Sequence, residues 1–549
     1  MKSFSVENIK SFKNLTEIEL KPLTILVGRN SCGKSSLLRF PVVLSQTCDD
    51  DSQSPLQLYG KLIDYGTFND VIFDHQGKEI AFTLNYDVEV NDNSMVYRKI
   101  NAKNVDRDIR NVEVATRLEV VKERLIVSNQ KLYIDGKCVF ESSTKDNNRS
   151  YKINSVYDFE NRVFADADYE ISSNQILDIG FFSYPPMGED LRECIKQQYF
   201  LNDDFVYDDE RQRFYAEDML FGETDDEEIR KMRNRITHLA PAAIAAGPIG
   251  LSLAALSLSK EQKKWKNLIE EKSGLKCSEE ELKFWFINDC YSYYHRLIDT
   301  IYQMCRDEMR MLSYIGPFRQ SPERIYRDTG SQQKKVGVKG EYASNVLIDD
   351  YSKDKKLIDN ISEWLNKALG YKLVVTTVAD GYFQLLLEDK NGIRSNISDV
   401  GYGISQILPI ITQIMVSVPS TKFFGRKNNN LLSEMSIIEQ PELHLHPAAQ
   451  AELADLFAAC ISGNKNRKLL IETHSEHFIR KLQVLIADKN CEITSDDVAI
   501  YYVDKDDSGS AYVKELRIQP NGKFTEKWPS GFFDKAHELS MELLKNSCK

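Results

Sequence analysis

Ten residues near the start of the chain constrain it most. "VGRNSCGKSS", Val27 to Ser36, follows the apolar run "LTILV" and leads into the helical pattern "KSSLLRFPVVLSQ". Gly28, Gly33, Lys34 and Ser35 sit at the fixed points of an eight-position phosphate loop, with strand before and helix after, which is the context its chemistry requires. The glycines let backbone N–H groups turn inward around a phosphate at a helix N-terminus. Asn30, Ser31 and Ser36 complete the cradle. Lys34 would neutralise β- and γ-phosphate oxygens of ATP, and the Ser35 hydroxyl would face Mg²⁺.

Two more strand ends carry chemistry. "MSIIEQPELHLHP" is an apolar strand closing on Glu439, followed by Gln440 and Glu442, and "KLLIETHS" closes near His474. Glu439 is expected in the Mg²⁺ shell through water, and His474 near the γ-phosphate or the attacking water. A fourth segment, "SDVGYGISQILPII", places Ser398, Gly401, Gly403 and Ser405 at the opening of a helix, where N–H groups and the helix dipole favour an anion.

The 549 residues exceed one compact core, so two domains, or one with a large insertion, are expected. A net charge of −12 excludes a global positive field that would draw the chain onto nucleic acid, and leaves only local patches such as Lys334, Lys335 and Lys339. The ten cysteines form no C-x-x-C pair and "MKSFSVENIKSFKN" has no apolar signal core, which together fit a cytoplasmic setting. The uncharged stretch from Leu239 to Leu258 is broken by Pro241, Pro248, Gly247 and Gly250, and reads as a buried helix or connector rather than a membrane span.

Period-two runs from about Glu79 to Tyr184, with a hairpin signal at Asp135 and Gly136, predict antiparallel sheet. From about Pro185 to Met311 the strand pattern gives way to acidic clusters and three-and-four spaced apolar residues, a helical insertion. Strands return at "LSYIGPFR", "KLVVTTV", "FQLLLED", "MSIIEQPE", "KLLIETHS" and "VAIYYVD", alternating with helices, and predict an α/β core with parallel central strands. Asp504, Asp506 and Asp507 in "YYVDKDDSGSAYV" read as a hairpin turn rather than a metal site.

The phosphate loop, "SDVGYGISQILPI", "IIEQPELHLHPAAQAELADLF", "THSEHFIRKL" and the tail "WPSGFFD" together resemble the ABC/SMC-like ATPase heads, in the OLD-like and Septu-like branch of prokaryotic antiviral defence that includes PtuA-type ATPases. The resemblance implies an α/β ABC-type head formed by residues 1–185 and 312–549, interrupted by the helical insertion 186–311. It also implies ATP and Mg²⁺ as cofactors and a homodimer or higher oligomer in which the loop Ser398–Ser405 of one copy closes on the triphosphate held by the other. The implied partners are an HNH nuclease of the PtuB kind and a retron reverse transcriptase with its RNA–DNA, with direct DNA contact left open and no membrane. The alternative is a DNA repair or recombination ATPase resembling RecF or SMC heads. Gln440 departs from the glutamate usual at that position: an amide orients water but cannot take its proton. Either turnover is slow and ATP acts mainly as a clamp, which we favour, or Glu442 takes the role.

Overall fold

A computed structural model describes residues 1–49, 54–90, 108–171, 297–416 and 434–528, apart from isolated positions and short gaps inside those spans, together with residue 542. The insertion up to residue 296 and the uncharged stretch 239–258 lie outside the described residues, as does most of the tail "WPSGFFD". Among the described residues no helix is long and apolar enough to cross a membrane. The chain divides into two units, one of Met1–Leu84, Leu118–Leu125 and Cys305–Lys549, the other of Asn85–Arg117 and Ile126–Met304.

The first unit is an α/β body. At its centre is a six-stranded sheet ordered β10-β15-β16-β3-β17-β18. Its strands are β3 (Leu23–Gly28), β10 (Ser313–Ile315), β15 (Glu434–Glu439), β16 (Arg467–Glu472), β17 (Val498–Lys505) and β18 (Ala511–Glu515). All neighbours run parallel except the β17–β18 hairpin. Every residue of β3 is buried, as a strand covered on both faces requires. Helices α1 (Lys34–Asp49), α5 (Pro447–Gly463) and α6 (Glu476–Ala487) follow β3, β15 and β16 in turn, which is the βαβ logic that the alternating pattern predicts.

Three further helices, α2 (Ala343–Tyr351), α3 (Lys356–Leu369) and α4 (Tyr402–Met415), share one apolar core with this sheet, centred on Leu347, Ile361, Ile407, Ile411, Phe457 and Phe478. Two strands expected in the parallel core are elsewhere. β12 (Lys372–Ala379, "KLVVTTVA") and β13 (Tyr382–Glu388, "YFQLLLE") pair with each other antiparallel in a separate small sheet with β11 (Tyr326–Arg327) and β14 (Arg394–Asn396). Only Asp380 and Gly381 join them, with Gly381 at φ 72°, and a parallel crossover needs a dozen residues or more. Also in this unit β1 (Ser3–Glu7) pairs antiparallel with β2 (Thr16–Glu19), and β4 (Glu79–Val90), which belongs to it as far as Leu84, lies next to β1.

The second unit is antiparallel sheet. β5 (Asp108–Val121), β6 (Arg124–Ile134), β7 (Lys137–Lys145), β8 (Asn148–Asp158) and β9 (Val163–Ile171) follow one another in space as in sequence. The β6–β7 turn is the one that its residues predict: Asp135 at φ 51° and Gly136 at φ 78° both take the left-handed conformation that matches strand twist.

Candidate functional site: the carboxyl ends of the central strands

The loop between β3 and α1 is shaped by two glycines. At Gly28 (φ 148°) a Cβ would lie 2.1 Å from the Val503 carbonyl oxygen, so β17 packs flush against the loop's first residue. Gly33 (φ 103°) is crowded by Ser11 and Phe12, at 3.2 and 3.1 Å from a notional Cβ. A side chain at either position meets both strain and obstruction. Asn30 and Ser31 are exposed, Ser31 in the left-handed region at φ 60°, while Ser35 and Ser36 are half-buried at the start of α1. Cys32 points down and donates to Asp504 across 3.5 Å.

Lys34 is the first residue of α1 and only 3% exposed. Its ammonium donates to the Arg29 carbonyl oxygen at 2.6 Å and stands 3.9 Å from Glu472 Oε1. Burial lowers its pKa, and the carboxylate of Glu472 opposes that effect. A buried cation with one backbone acceptor and one nearby carboxylate is poised for a further anion.

Glu439 and Glu472 are paired residues at the ends of neighbouring parallel strands, so both side chains leave the sheet on the same face. They differ in what they touch. Both Glu439 carboxylate oxygens are occupied: Arg39, one turn beyond the phosphate loop, donates from Nε at 2.6 Å and from Nη2 at 2.8 Å, and Tyr314 donates its hydroxyl to Oε1 at 2.6 Å. This fork is the strong form of a charge-assisted pair. Burial acts to lower the Arg39 pKa, but the Glu439 carboxylate overrides it and holds the guanidinium above its ordinary value. Burial, and then Glu439, raise the Tyr314 phenol, so it remains a donor.

Glu472 has no such partners. It is 2% exposed, its Oε2 is sealed from solvent with no hydrogen-bond partner, and Lys34 stands 3.9 Å from its Oε1. Burial raises its pKa, with the adjacent Ser35 hydroxyl working in the opposite direction and Glu439 adding to the rise. The sequence reading passed over this residue. The signal was present, because "LLIE" ends a strand on a carboxylate just as "SIIE" does. Arg39 was also passed over, and Tyr314 and Arg319, which lie in the segment "LSYIGPFR", were given no role in the site.

The segment after β15 is fixed by its backbone. Gln440 takes the left-handed conformation at φ 45° and donates its N–H to the Glu472 carbonyl oxygen at 2.8 Å. Arg319 clamps the same turn, donating to the Glu439 carbonyl and, at 3.1 Å, to that of Gln440. Burial pushes the Arg319 guanidinium down to about 10, against the pull of Glu442 and Glu439. Glu442 is buried. Its Oε1 accepts the His474 N–H at 2.7 Å, its Oε2 has no partner, and burial raises its pKa. Burial, with help from Lys34, brings His474 down to about 4, so the imidazole is neutral at physiological pH.

Lys34, Ser35, Glu439, Gln440, Glu442 and His474 therefore converge on one end of the central sheet. Ser398, Gly401 and Gly403 lie on the separate segment that opens α4. Ser398 is held by Asn396 Oδ1, which accepts its N–H at 3.1 Å and its hydroxyl at 2.8 Å, and Arg324 pairs with Asp399 at 3.0 Å. Gly401 precedes α4, and Gly403 is obligatory because a Cβ there would lie 2.5 Å from the His444 carbonyl oxygen. Ser405 is buried on α4. Among the described residues no hydrogen bond or ion pair joins Ser398, Gly401 or Gly403 to the phosphate loop of the same chain. Asp504 and Asp506 lie in the β17–β18 hairpin, where Asp506 Oδ1 accepts from Ser508 and Ser510 to close the turn.

Among solved structures the chain is similar to the SMC head domain of Pyrococcus furiosus bound to the C-terminal domain of ScpA (14% identity, 100% of this chain and 99% of that one, TM-score 0.36) and to the SMC head domain of Pyrococcus yayanosii (12%, 100% and 99%, TM-score 0.34). It is also similar to the SMC head domain of Thermotoga maritima (8% identity, 94% and 99%, TM-score 0.32). No curated protein matches the chain. A family of unknown function, DUF3696, matches residues 493–543. The AAA ATPase domain family matches residues 1–479, and this chain belongs to that family.

Proposed function

We propose that the protein binds ATP with Mg²⁺ at the loop Gly28–Ser36, hydrolyses it slowly, and uses the bound triphosphate to join two copies of the chain. The observation that carries this reading is the buried Lys34 ammonium at the head of α1, beneath a loop whose two glycines leave its backbone open to a phosphate. The family to which the chain belongs supports the nucleotide. Bound Mg²⁺ would neutralise charge on the β- and γ-phosphate oxygens, with Ser35 and a strand-end carboxylate as the residues suited to hold it.

This chain's own residues supply the rest. Lys34 binds phosphate oxygens, and loop N–H groups orient them. Gln440 can orient a water but cannot accept its proton, while His474, neutral, can donate to or accept from a γ-phosphate oxygen or that water. With a neutral amide at Gln440, hydrolysis is slow and the ATP state long-lived.

The central-sheet order β15-β16-β3 puts the His474 strand between the Glu439 strand and the phosphate-loop strand, which supports an ABC-type head. In such a head Ser398, Gly401, Gly403 and Ser405 of the second copy close the site, and the lack, among the described residues, of a bond from Ser398, Gly401 or Gly403 to their own chain's loop is compatible with that arrangement. The assembled dimer would hold or release a partner nuclease of the HNH kind, with a retron reverse transcriptase and its RNA–DNA as a further component, in defence against phage. Light scattering with and without ATP and Mg²⁺ tests the clamp: the mass should double with nucleotide and remain that of one chain in Gly401→Trp, where a Cβ meets nothing within 4 Å in its own chain. Capture of the native assembly should return an HNH protein; recovery of DNA alone would favour a repair ATPase instead.

A further inference from the structure

We propose that Arg319 is a positioning residue for hydrolysis, the clamp that sets the backbone from which Gln440 meets the attacking water. This rests on the ATP reading above and adds one residue to it.

The turn after β15 is one that its own sequence does not favour. Gln440 stands at φ 45°, a region that residues with a side chain seldom enter, and Pro441 behind it presses the preceding residue toward extended backbone. Such a conformation persists only where its surroundings over-determine it. Two contacts do so here. On one side the Gln440 N–H donates to the Glu472 carbonyl oxygen at 2.8 Å. On the other the Arg319 guanidinium reaches two successive carbonyls, donating from Nη2 to that of Glu439 and from Nη1, at 3.1 Å, to that of Gln440. Those carbonyls belong to the two peptide planes that flank the Gln440 Cα, so one rigid, planar group that grips both fixes its φ and ψ.

For stability alone Arg319 is an expensive choice. It is 5% exposed, its hydrogen bonds run to neutral carbonyls, and its Nε is buried without a partner. Glu442 and Glu439 offset part of the cost of burying its charge. Apolar residues of similar volume commonly stabilise such a position as well or better. The loop that carries Arg319 is itself pinned on both sides, by the Gly316 N–H to the Val338 carbonyl at 2.9 Å and the Gln320 N–H to the Lys339 carbonyl at 2.8 Å. What this arrangement supplies is precision. A misplacement of about 1 Å costs about a hundredfold in rate, and an amide that only orients water has no proton transfer with which to make up the loss.

The test is single-turnover hydrolysis of ATP with Mg²⁺ by the full chain in excess, set beside calorimetric binding of the non-hydrolysed analogue AMP-PNP. Arg319→Met, similar in length and without donors, should slow turnover about a hundredfold and leave AMP-PNP affinity within about threefold of wild type. Arg319→Lys keeps the charge but not the fork, and should still slow turnover about tenfold or more with affinity unchanged. In a Gln440→Ala background the Arg319→Met change should cost no more than about twofold, because the clamp has no amide left to place, whereas a purely structural residue would cost the same in both backgrounds. Hydrogen exchange reads the clamp without nucleotide. The amides of Gln440, Leu443 and Leu445, bonded at this turn, should exchange at least about tenfold faster in Arg319→Met, with the phosphate loop unchanged. Wild-type turnover in Arg319→Met, an equal loss with and without Gln440, affinity that falls in step with rate, or unaltered exchange of the turn overturns the proposal. A wild type that binds AMP-PNP but hydrolyses no ATP fails in a different place, in the ATPase reading, and the exchange measurement then decides on the clamp.

Discussion

Two strand ends, partners in register on neighbouring parallel strands, are treated in opposite ways. Glu439 closes β15 with both carboxylate oxygens hydrogen-bonded, by Arg39 and Tyr314, and Glu472 closes β16 with one oxygen orphaned. The sequences around them are nearly the same, "SIIE" and "LLIE". What separates them is which helix lies overhead and which side chain it lowers, and that is tertiary information. A saturated carboxylate stabilises the fold, while an unsaturated one costs stability and is kept where a ligand repays it.

The sharpest way to break the contrast is to make Glu439 resemble Glu472. Arg39→Ala removes the fork and leaves a buried carboxylate with one hydroxyl donor. It should cost about 3 kcal/mol, the lower end for breaking a buried pair because Arg39 is one-third exposed. Urea unfolding measures it, and the double variant Arg39→Ala with Glu439→Gln should recover much of the loss. Tyr314→Phe takes away the remaining hydroxyl donor and should cost about 1.5–3 kcal/mol, the value of a hydrogen bond to a charged group, by the same measurement.

The smallest effect concerns Glu472 and pH. Its folded pKa is raised, so the folded state favours the protonated form. The stability this contributes is fully present below the ordinary glutamate value near 4.5 and is lost as pH rises through the folded value. Relative to Glu472→Gln, the nucleotide-free wild type should therefore lose melting temperature as pH rises from 4.5, and added AMP-PNP with Mg²⁺ should reverse the trend in the wild type alone. A constant difference across pH would mean that the carboxylate is satisfied in solution. For His474, pushed down to about 4, the neutral imidazole should persist in proton magnetic resonance titrations well below pH 6.

Much of this was legible before any coordinates. The phosphate loop, its flanking strand and helix, the Asp135–Gly136 turn and the parallel strands β3, β15, β16 and β17 all follow from local rules: apolar runs that end at polar residues, and glycines where the backbone must turn. β12 and β13 were misread as central strands because a buried apolar run looks alike in a parallel core and in a hairpin, and only the two-residue connection at Asp380 and Gly381 distinguishes them. The roles of Arg39, Tyr314 and Arg319 were not legible. They reach the site from α1, from β10 and from the residues following β10, at separations from Glu439 of 400, 125 and 120 positions, and no periodicity encodes such a meeting. Glu472 lay between these cases, its residue type visible and its lack of partners not.

The loop above Lys34 should hold a triphosphate. Isothermal titration of the wild type and of Lys34→Ala with ATP and Mg²⁺ tests it most directly. Removing the ammonium buried beneath the loop should abolish measurable binding while the wild type binds one ATP per chain. Equal heats of binding in the two proteins would contradict the account.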